Sequence, residues 1–293
     1  MDIQKIENYI EVNARKLDLM LYHYFFKGGT TSAVIQELKN YQNEDGGFGH
    51  GLEPDVQAKE SSVLATSIAF QYLTAAKVSR DEIMVKKGLK YLADNYNKEK
   101  QAWFNLTKPC MDSPRAPWWN YEKQFDSEQW GNPTAEILGY FIMYQPESNL
   151  LEDLKDKAIH RLNEIKKPEF HEIMCFTRLY EMSGTEFQKK VFSQLSELIN
   201  RTIDKNVSNW GNYSATPFSY INSHQSPLFS IFDSSLINAD LERVKNSIVN
   251  GDHWEPRWDW GDLNPNVWLK AKRDWIGKLT VESVAILKNF DFS

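Results

Sequence analysis

Residues 50–55 bring His50, Glu53 and Asp55 together in "HGLEPD", directly ahead of a stretch of small and apolar residues. A carboxylate in that position can cap a helix or face its dipole. Aimed instead into a cavity and stripped of water, it keeps its proton and works as a general acid or base. Residues 117–132, "PWWNYEKQFDSEQWGN", form a second cluster, with Trp118, Trp119, Tyr121 and Trp130 among Glu122, Asp126 and Glu128. Aromatic faces stabilise a cation or stack on sugar rings, and carboxylates beside them suit glycoside hydrolysis. A third cluster, Trp258, Asp259, Trp260 and Asp262, repeats the combination, and Trp210 stands alone in "NWGN". The candidate catalytic residues are therefore Glu53, Asp55, His50, Glu128 and Asp259. The candidate ligand contacts are Trp118, Trp119, Tyr121, Trp130, Trp210, Trp258 and Trp260. For any single tryptophan the competing role is to pack a loop onto the body of the protein.

Other constellations carry less. Lys270, Lys272 and Arg273 could hold a diphosphate, although such a run more often forms a solvated face. His171 and Cys175, four apart on a helical segment, share a face and could ligate zinc. Two ligands do not make a site, so no metal and no cofactor is expected. No recognisable nucleophile motif surrounds any serine.

The elements that must position these residues are helices of two kinds. Residues 151–166, 185–203 and 239–249 each show one apolar stripe and an otherwise charged surface, the pattern of a half-exposed helix. Residues 60–76 and 132–146 carry one charge each, residues 277–289 have an apolar middle, and 169–182 is a less clean case; a helix without a charged face is buried all round. The two kinds alternate: 31–42 then 57–76, 80–97 then 132–146, 151–166 then 169–182, 185–203 then 214–236, 239–249 then 277–290. An opening helix over 3–26 supplies a further inner member. Val/Ile/Thr-rich alternating runs between turn signals are missing. The expected fold is all-α, an α/α toroid of alternating outer and inner helices in a single domain over residues 1–293. A HEAT- or TPR-like solenoid also pairs helices, but its repeats keep a near-constant length, whereas the connections here differ widely.

Tryptophan placement supports the pairing. Trp130-Gly131-Asn132-Pro133-Thr134-Ala135 recurs as Trp210-Gly211-Asn212-Tyr213-Ser214-Ala215, a spacing that fits two helical hairpins of about forty residues each. Both copies fall where an outer helix hands over to an inner one, as do residues 41–55 and 253–268. The opposite joins, "KVSRD", "YQPESN" and "MSGT", are short and plain. One end of the molecule should therefore carry the long aromatic loops, 98–131 and 250–276, and long loops on one face are where binding and catalysis concentrate.

At residues 42–49 the chain reads "QNEDGGFG". This resembles the Gln-x-x-Asp-Gly-Gly-aromatic-Gly repeat of squalene–hopene-type terpenoid cyclases and the Gly-Gly-Phe-Gly repeat of protein prenyltransferase β subunits. The following "SSVLATSIAFQYL" is similar to the inner helix after that repeat. The resemblance implies an α/α toroid with a central cavity. At motif quality it spans about thirty residues. The catalytic signatures do not carry over: no Asp-x-Asp-Asp motif occurs, and neither Cys110 nor Cys175 follows an Asp at the spacing that prenyltransferases use for zinc. Gln42, Asp45, Gly46, Gly47 and Phe48 are expected to build a structural corner, with Gln42 tying it to the preceding helix.

Bulk composition narrows the classes. A hydrophobic content of 41% supports a packed core, and a net charge of −6 disfavours nucleic acid as partner. No segment is long and apolar enough to span a membrane. The N-terminus lacks a signal-peptide pattern, and two cysteines are too few for a disulfide framework, so the expected location is cytoplasmic. The expected function is a terpenoid cyclase- or prenyltransferase-like protein holding an isoprenoid or other apolar ligand in a central cavity lined by aromatics and carboxylates. The alternatives are a sugar-active hydrolase or lyase binding carbohydrate, and a non-catalytic binding member. A deep apolar cavity favours the first; an open acidic one with exposed aromatics favours the second. Oligomeric state is not readable from the chain.

Overall fold

The structure, a computed structural model, describes residues 2–120 and 130–290. Among these residues every regular element is helical, with eleven α-helices and only isolated β-bridges. The opening segment is two helices, α1 (Ile3–Asn13) and α2 (Lys16–Phe26), rather than one. Asp2 caps α1 by accepting from the amides of Gln4 and Lys5, and the chain turns at Ala14. α3 (Thr31–Leu38) is capped by Thr30, and α4 (Val63–Ala75) by Ser62, each accepting from the amide of the third residue on. α4 is buried on almost every side, as its lack of charge requires.

α5 (Ile83–Asp94), α6 (Gly131–Tyr144), α7 (Leu151–Glu164), α8 (Phe170–Met182) and α9 (Thr185–Thr202) follow within a few residues of the expected spans. α5, α7 and α9 show one buried stripe each, while α6 is enclosed nearly throughout.

Two expectations fail. Residues 214–233 hold no α-helix, where an inner helix over 214–236 is expected; the chain there makes short 3₁₀ turns at Pro217–Ser219 and Phe229–Ile231. Pro217 and Pro227 lack amide donors, and the intervening serines, asparagine and histidine favour turns. The second WGN copy therefore leads into turns where the first leads into α6. The last two helices also begin earlier than read: α10 spans Ser234–Asn246 and α11 spans Pro265–Phe290. Proline suits a first helical turn, and α11 takes in Trp268 and Trp275, so the final aromatic loop ends at residue 264 rather than 276.

The main cluster of buried apolar side chains runs from Ile6 to Phe290 and draws on all eleven helices, while the first half of α11 packs Ala271, Val267 and Trp268 into a smaller cluster with Ala116 and Trp260. α6 packs on α8, α2 packs on α3, and α11 packs on both α1 and α2, so the end of the chain meets its beginning.

The QNEDGGFG corner is built as a structural unit. Gly46 has φ +89, and a Cβ there would sit 2.5 Å from the carbonyl oxygen of Lys87 on α5, so only glycine fits. Asp45 Oδ1 accepts from the Gly47 amide at 2.9 Å and from Ser61 Oγ at 2.7 Å. Gln42 Nε2 donates to Gly46 O at 3.0 Å and to Met84 O at 3.1 Å. It thus ties the corner to α5, the next helix of its kind, rather than to the preceding one. Phe48 is fully buried, its amide donating to Thr66 Oγ1 at 3.0 Å.

Candidate functional site

The corner delivers Glu53 and Asp55 into the interior, 5% and 3% exposed. Asp55 Oδ1 accepts from the indole Nε1 of Trp260 at 2.9 Å and of Trp275 at 2.9 Å. Trp258 Nε1 lies near the same carboxylate, buried, but closes no hydrogen bond. Main-chain bonds reinforce the junction: Ala116 N donates to Asp55 O at 2.9 Å, and Asp55 N donates to Glu53 Oε1 at 3.2 Å. Burial raises the Asp55 carboxyl, and the indole donors pull it back. Burial, with the Asp55 charge alongside, pushes Glu53 up to about 8, against the pull of Lys278 and Arg15. Glu53 therefore keeps its proton at neutral pH.

Around this pair the loops of one end converge. Trp258 meets Trp275 edge to face at 5.0 Å and Tyr213 edge to face at 5.3 Å. Tyr213 OH lies 2.8 Å from His171 Nε2, at the start of α8. Four distant segments thus meet here: the first corner, the second WGN copy, the start of α8 and the final aromatic loop with α11.

The other expected site residues scatter. His50 is exposed at φ +56, bonded to Asn43 Oδ1 at 2.8 Å, and lines a shallow groove with Asn43, Asp45 and Lys59. It shares no hydrogen-bond partner with Glu53, which removes it from that cluster. Asp259 is exposed, and its Oδ1 accepts from the Gly261 amide at 2.8 Å, a loop cap. Trp210 is fully buried, donating to Asp204 O at 2.9 Å. Trp130 donates to Gln101 O at 2.8 Å, with Lys157 over its ring. Trp210 thus packs in the core, while Trp130 is half-buried against it. Trp119 packs against Trp260 and Ala116, while Trp118 is 39% exposed. Tyr121 and Glu128 lie outside the described residues. His171 and Cys175 do not point to one ion: the first bonds Glu169 and Tyr213, the second lies 3.7 Å from Glu136 Oε2.

A cavity of about 530 Å³ lies among α2, α4, α8, α11 and residues 218–222. The aromatic loops do not line it. Its wall is drawn mostly from the C-terminal halves of those helices, so it lies toward the end with the short, plain connections. Its charged members are Asp18, Arg178, Glu181, Lys278 and Glu282, and its aromatic ones are Phe25, Phe26, Tyr72, Phe218 and Tyr220. Each charge is held in place. Arg15 Nε lies 2.8 Å from Asp18 Oδ2, and Arg15 Nη2 also donates to Tyr72 OH at 3.0 Å. Arg178 Nη1 donates to the buried Glu136 at 2.9 Å, and Gln71 Nε2 donates to the other Glu136 oxygen at 2.8 Å. Ser226 Oγ donates to Glu181 at 3.0 Å, and Lys278 pairs with Glu282. Among the described residues Arg178 commits only Nη1 to hydrogen bonds, leaving donors for a ligand.

The sequence does not single out these five, because α8 and α11 carry other charges, among them Glu172, Lys270 and Lys288, and a cavity-facing charge looks the same along the chain as a solvated one. No helix among the described residues is long and apolar enough to cross a membrane, and no group of three or more metal-ligating side chains converges among them. A scan of the chain against protein-family models gave no match, and searches of curated proteins and of solved structures found no similar chain.

Proposed function

We propose that the chain is an α/α toroid whose central cavity receives a polar, hydroxyl-rich small molecule of the carbohydrate class. In this reading α2, α4, α6, α8, residues 214–233 and α11 form the inner layer, and α1, α3, α5, α7, α9 and α10 the outer one. Three features support the arrangement: charged and apolar helices alternate, α11 packs on α1 and α2, and the cavity is lined by inner members alone. The QNEDGGFG corner supports a kinship of fold with terpenoid cyclases and prenyltransferase β subunits.

The observation that carries the ligand class is the cavity wall. An isoprenoid would strip water from Arg178, Glu181, Lys278 and Glu282 and return no hydrogen bonds, a cost of several kcal/mol for each charge left poorly solvated. A sugar offers hydroxyls to Arg178, Glu181 and Asn289, and apolar ring faces to Phe25, Phe26 and Phe218. Glu181 is the natural proton donor, because the helices crowding it raise its carboxyl by desolvation, despite Ser226 and Arg178, while its side chain still opens on the cavity. Glu282, salt-bridged to Lys278 on α11, is the partner carboxylate. This makes the sugar-active reading the better supported one.

A ligand-stabilisation screen tests it, since a specific binder raises the melting temperature. Mono- and oligosaccharides are expected to stabilise the protein, whereas isoprenoid diphosphates and squalene-like hydrocarbons are not. Stabilisation by the isoprenoids alone would restore the terpenoid reading. With a hydrolysed or eliminated substrate in hand, Glu181→Gln is expected to abolish turnover and leave the melting temperature nearly unchanged.

A further inference from the structure

At the opposite end, Glu169, His171 and Tyr213 form a continuous hydrogen-bonded line. Glu169 is the N-cap of α8, accepting from the amides of His171 at 3.0 Å and Glu172 at 3.1 Å, which fixes its carboxylate. Its Oε1 lies 2.6 Å from His171 Nδ1. A carboxylate only accepts, so Nδ1 carries the hydrogen and the neutral ring presents a lone pair at Nε2. That lone pair meets the Tyr213 hydroxyl at 2.8 Å, so the phenol donates. A hydroxyl bonded to a base that a third group orients is the arrangement that activates a nucleophile.

The site is open to a reactant. Tyr213 is 50% exposed and the His171 side chain 40%. Phe170 and Trp258 flank the phenol edge to face at 5.5 and 5.3 Å, giving apolar walls. Arg257 is anchored on the same loop, Nη1 donating to Trp210 O at 2.6 Å and to Asn212 O at 2.8 Å. At neutral pH the charged groups acting on Tyr213 are Asp55 and Glu169 on one side and Arg257 on the other, Glu53 joining them only once it ionises at higher pH. Partial desolvation by the surrounding rings, with the Asp55 charge, pushes the phenol up to about 12. It therefore rests protonated and yields its proton only as it attacks. The surplus of negative charge disfavours an anionic reactant.

We infer that Tyr213 is a nucleophile for an uncharged ester, with His171 as its base and Glu169 orienting the ring, at a site distinct from the cavity. The phenolic oxygen bonds to the acyl carbon and the bond to the leaving alcohol breaks. The phenolic proton passes to His171 Nε2 and from there to the departing alkoxide, and water repeats the sequence to free the acid. Arg257 faces the negative charge that develops on the carbonyl oxygen. This inference stands whether or not the cavity binds a sugar.

Phenylmethanesulfonyl fluoride tests it on the intact chain without any natural substrate. The phenolic oxygen bonds to sulfur, fluoride leaves and His171 takes the proton. Peptide mapping by mass spectrometry should find the label concentrated on Tyr213 among the 13 tyrosines. Labelling should slow at least about tenfold in His171→Gln and about threefold in Glu169→Gln, whose amide oxygen preserves the cap, with melting temperatures close to the wild type. p-Nitrophenyl acetate should give a burst of nitrophenol with the wild type and none with Tyr213→Phe. An unlabelled Tyr213, or equal labelling in His171→Gln and the wild type, would overturn the proposal and leave the line as a cap that pins the loop.

Discussion

The indole nitrogen of Trp260 lies 2.9 Å from Oδ1 of Asp55, across 205 residues of sequence, and Trp275 donates to the same oxygen at 2.9 Å. One carboxylate oxygen thus fastens the final aromatic loop and α11 to the first corner. Asp55→Ala would leave two indole N–H groups without an acceptor, at roughly 1–3 kcal/mol for each buried donor. Urea unfolding should show a loss of about 2–5 kcal/mol, while Trp275→Phe, which removes one of the two donors at a half-buried position, should cost less.

Glu53 gives the protein a pH dependence of definite sign. Burial pushes its carboxyl from an ordinary 4.5 up to about 8 in the folded protein, so between those values the folded state binds more protons than the unfolded one. Its contribution is therefore harmless at low pH and increasingly destabilising as pH rises from 4.5 to about 8, flat above. Glu53→Gln removes that slope. The variant should gain stability relative to the wild type across this window, on the order of a few kcal/mol by pH 8. Parallel denaturation curves with no change in their difference would refute the assignment.

Arg15, Asp18 and Tyr72 form a buried cluster between the corner and the cavity, in which Arg15 also donates to Leu52 O at 3.0 Å. Arg15→Met strands a carboxylate that is 1% exposed. The expected cost is about 3–5 kcal/mol, read from the urea midpoint. Replacing Asp18 by Asn in the same background should recover part of it, since the uncompensated charge is gone.

Gly46→Ala should destabilise by about 1–3 kcal/mol, because it combines left-handed backbone with a Cβ 2.5 Å from Lys87 O. Gly211→Ala, where a Cβ meets nothing within 4 Å, is the control and should fall near zero.

Much of this organisation was legible in the chain. Helical periodicity located α3 to α9 to within a few residues, because each apolar stripe reports a face that has to be buried. The corner was legible because Gly46 and Asp45 answer to backbone geometry that few residues can meet. The convergence of Glu53, Asp55, Trp258 and Trp260 followed from placing every long loop at one end. The turn segment at 214–236 was not read, since its small and apolar residues imitate an inner helix unless Pro217 and Pro227 are given full weight. Pro265 was overlooked as a helix start because tryptophans on either side suggested a loop. The cavity was missed for a different reason: Arg178 or Glu282 viewed along one helix is indistinguishable from a solvated charge, and only the neighbouring helices decide that it faces an enclosed space.

The central claim is that the cavity among α2, α4, α8 and α11 binds a hydroxyl-rich ligand. Isothermal titration of the most stabilising saccharide against the wild type and a Glu181→Gln, Asn289→Ala double variant tests it most directly. Both side chains are exposed at the cavity wall, so the variant should remain folded. The account predicts an affinity at least about tenfold weaker in the variant, the loss of roughly 1.4 kcal/mol or more in hydrogen bonds to the sugar. Equal affinity for the two proteins would place the ligand elsewhere and contradict the account.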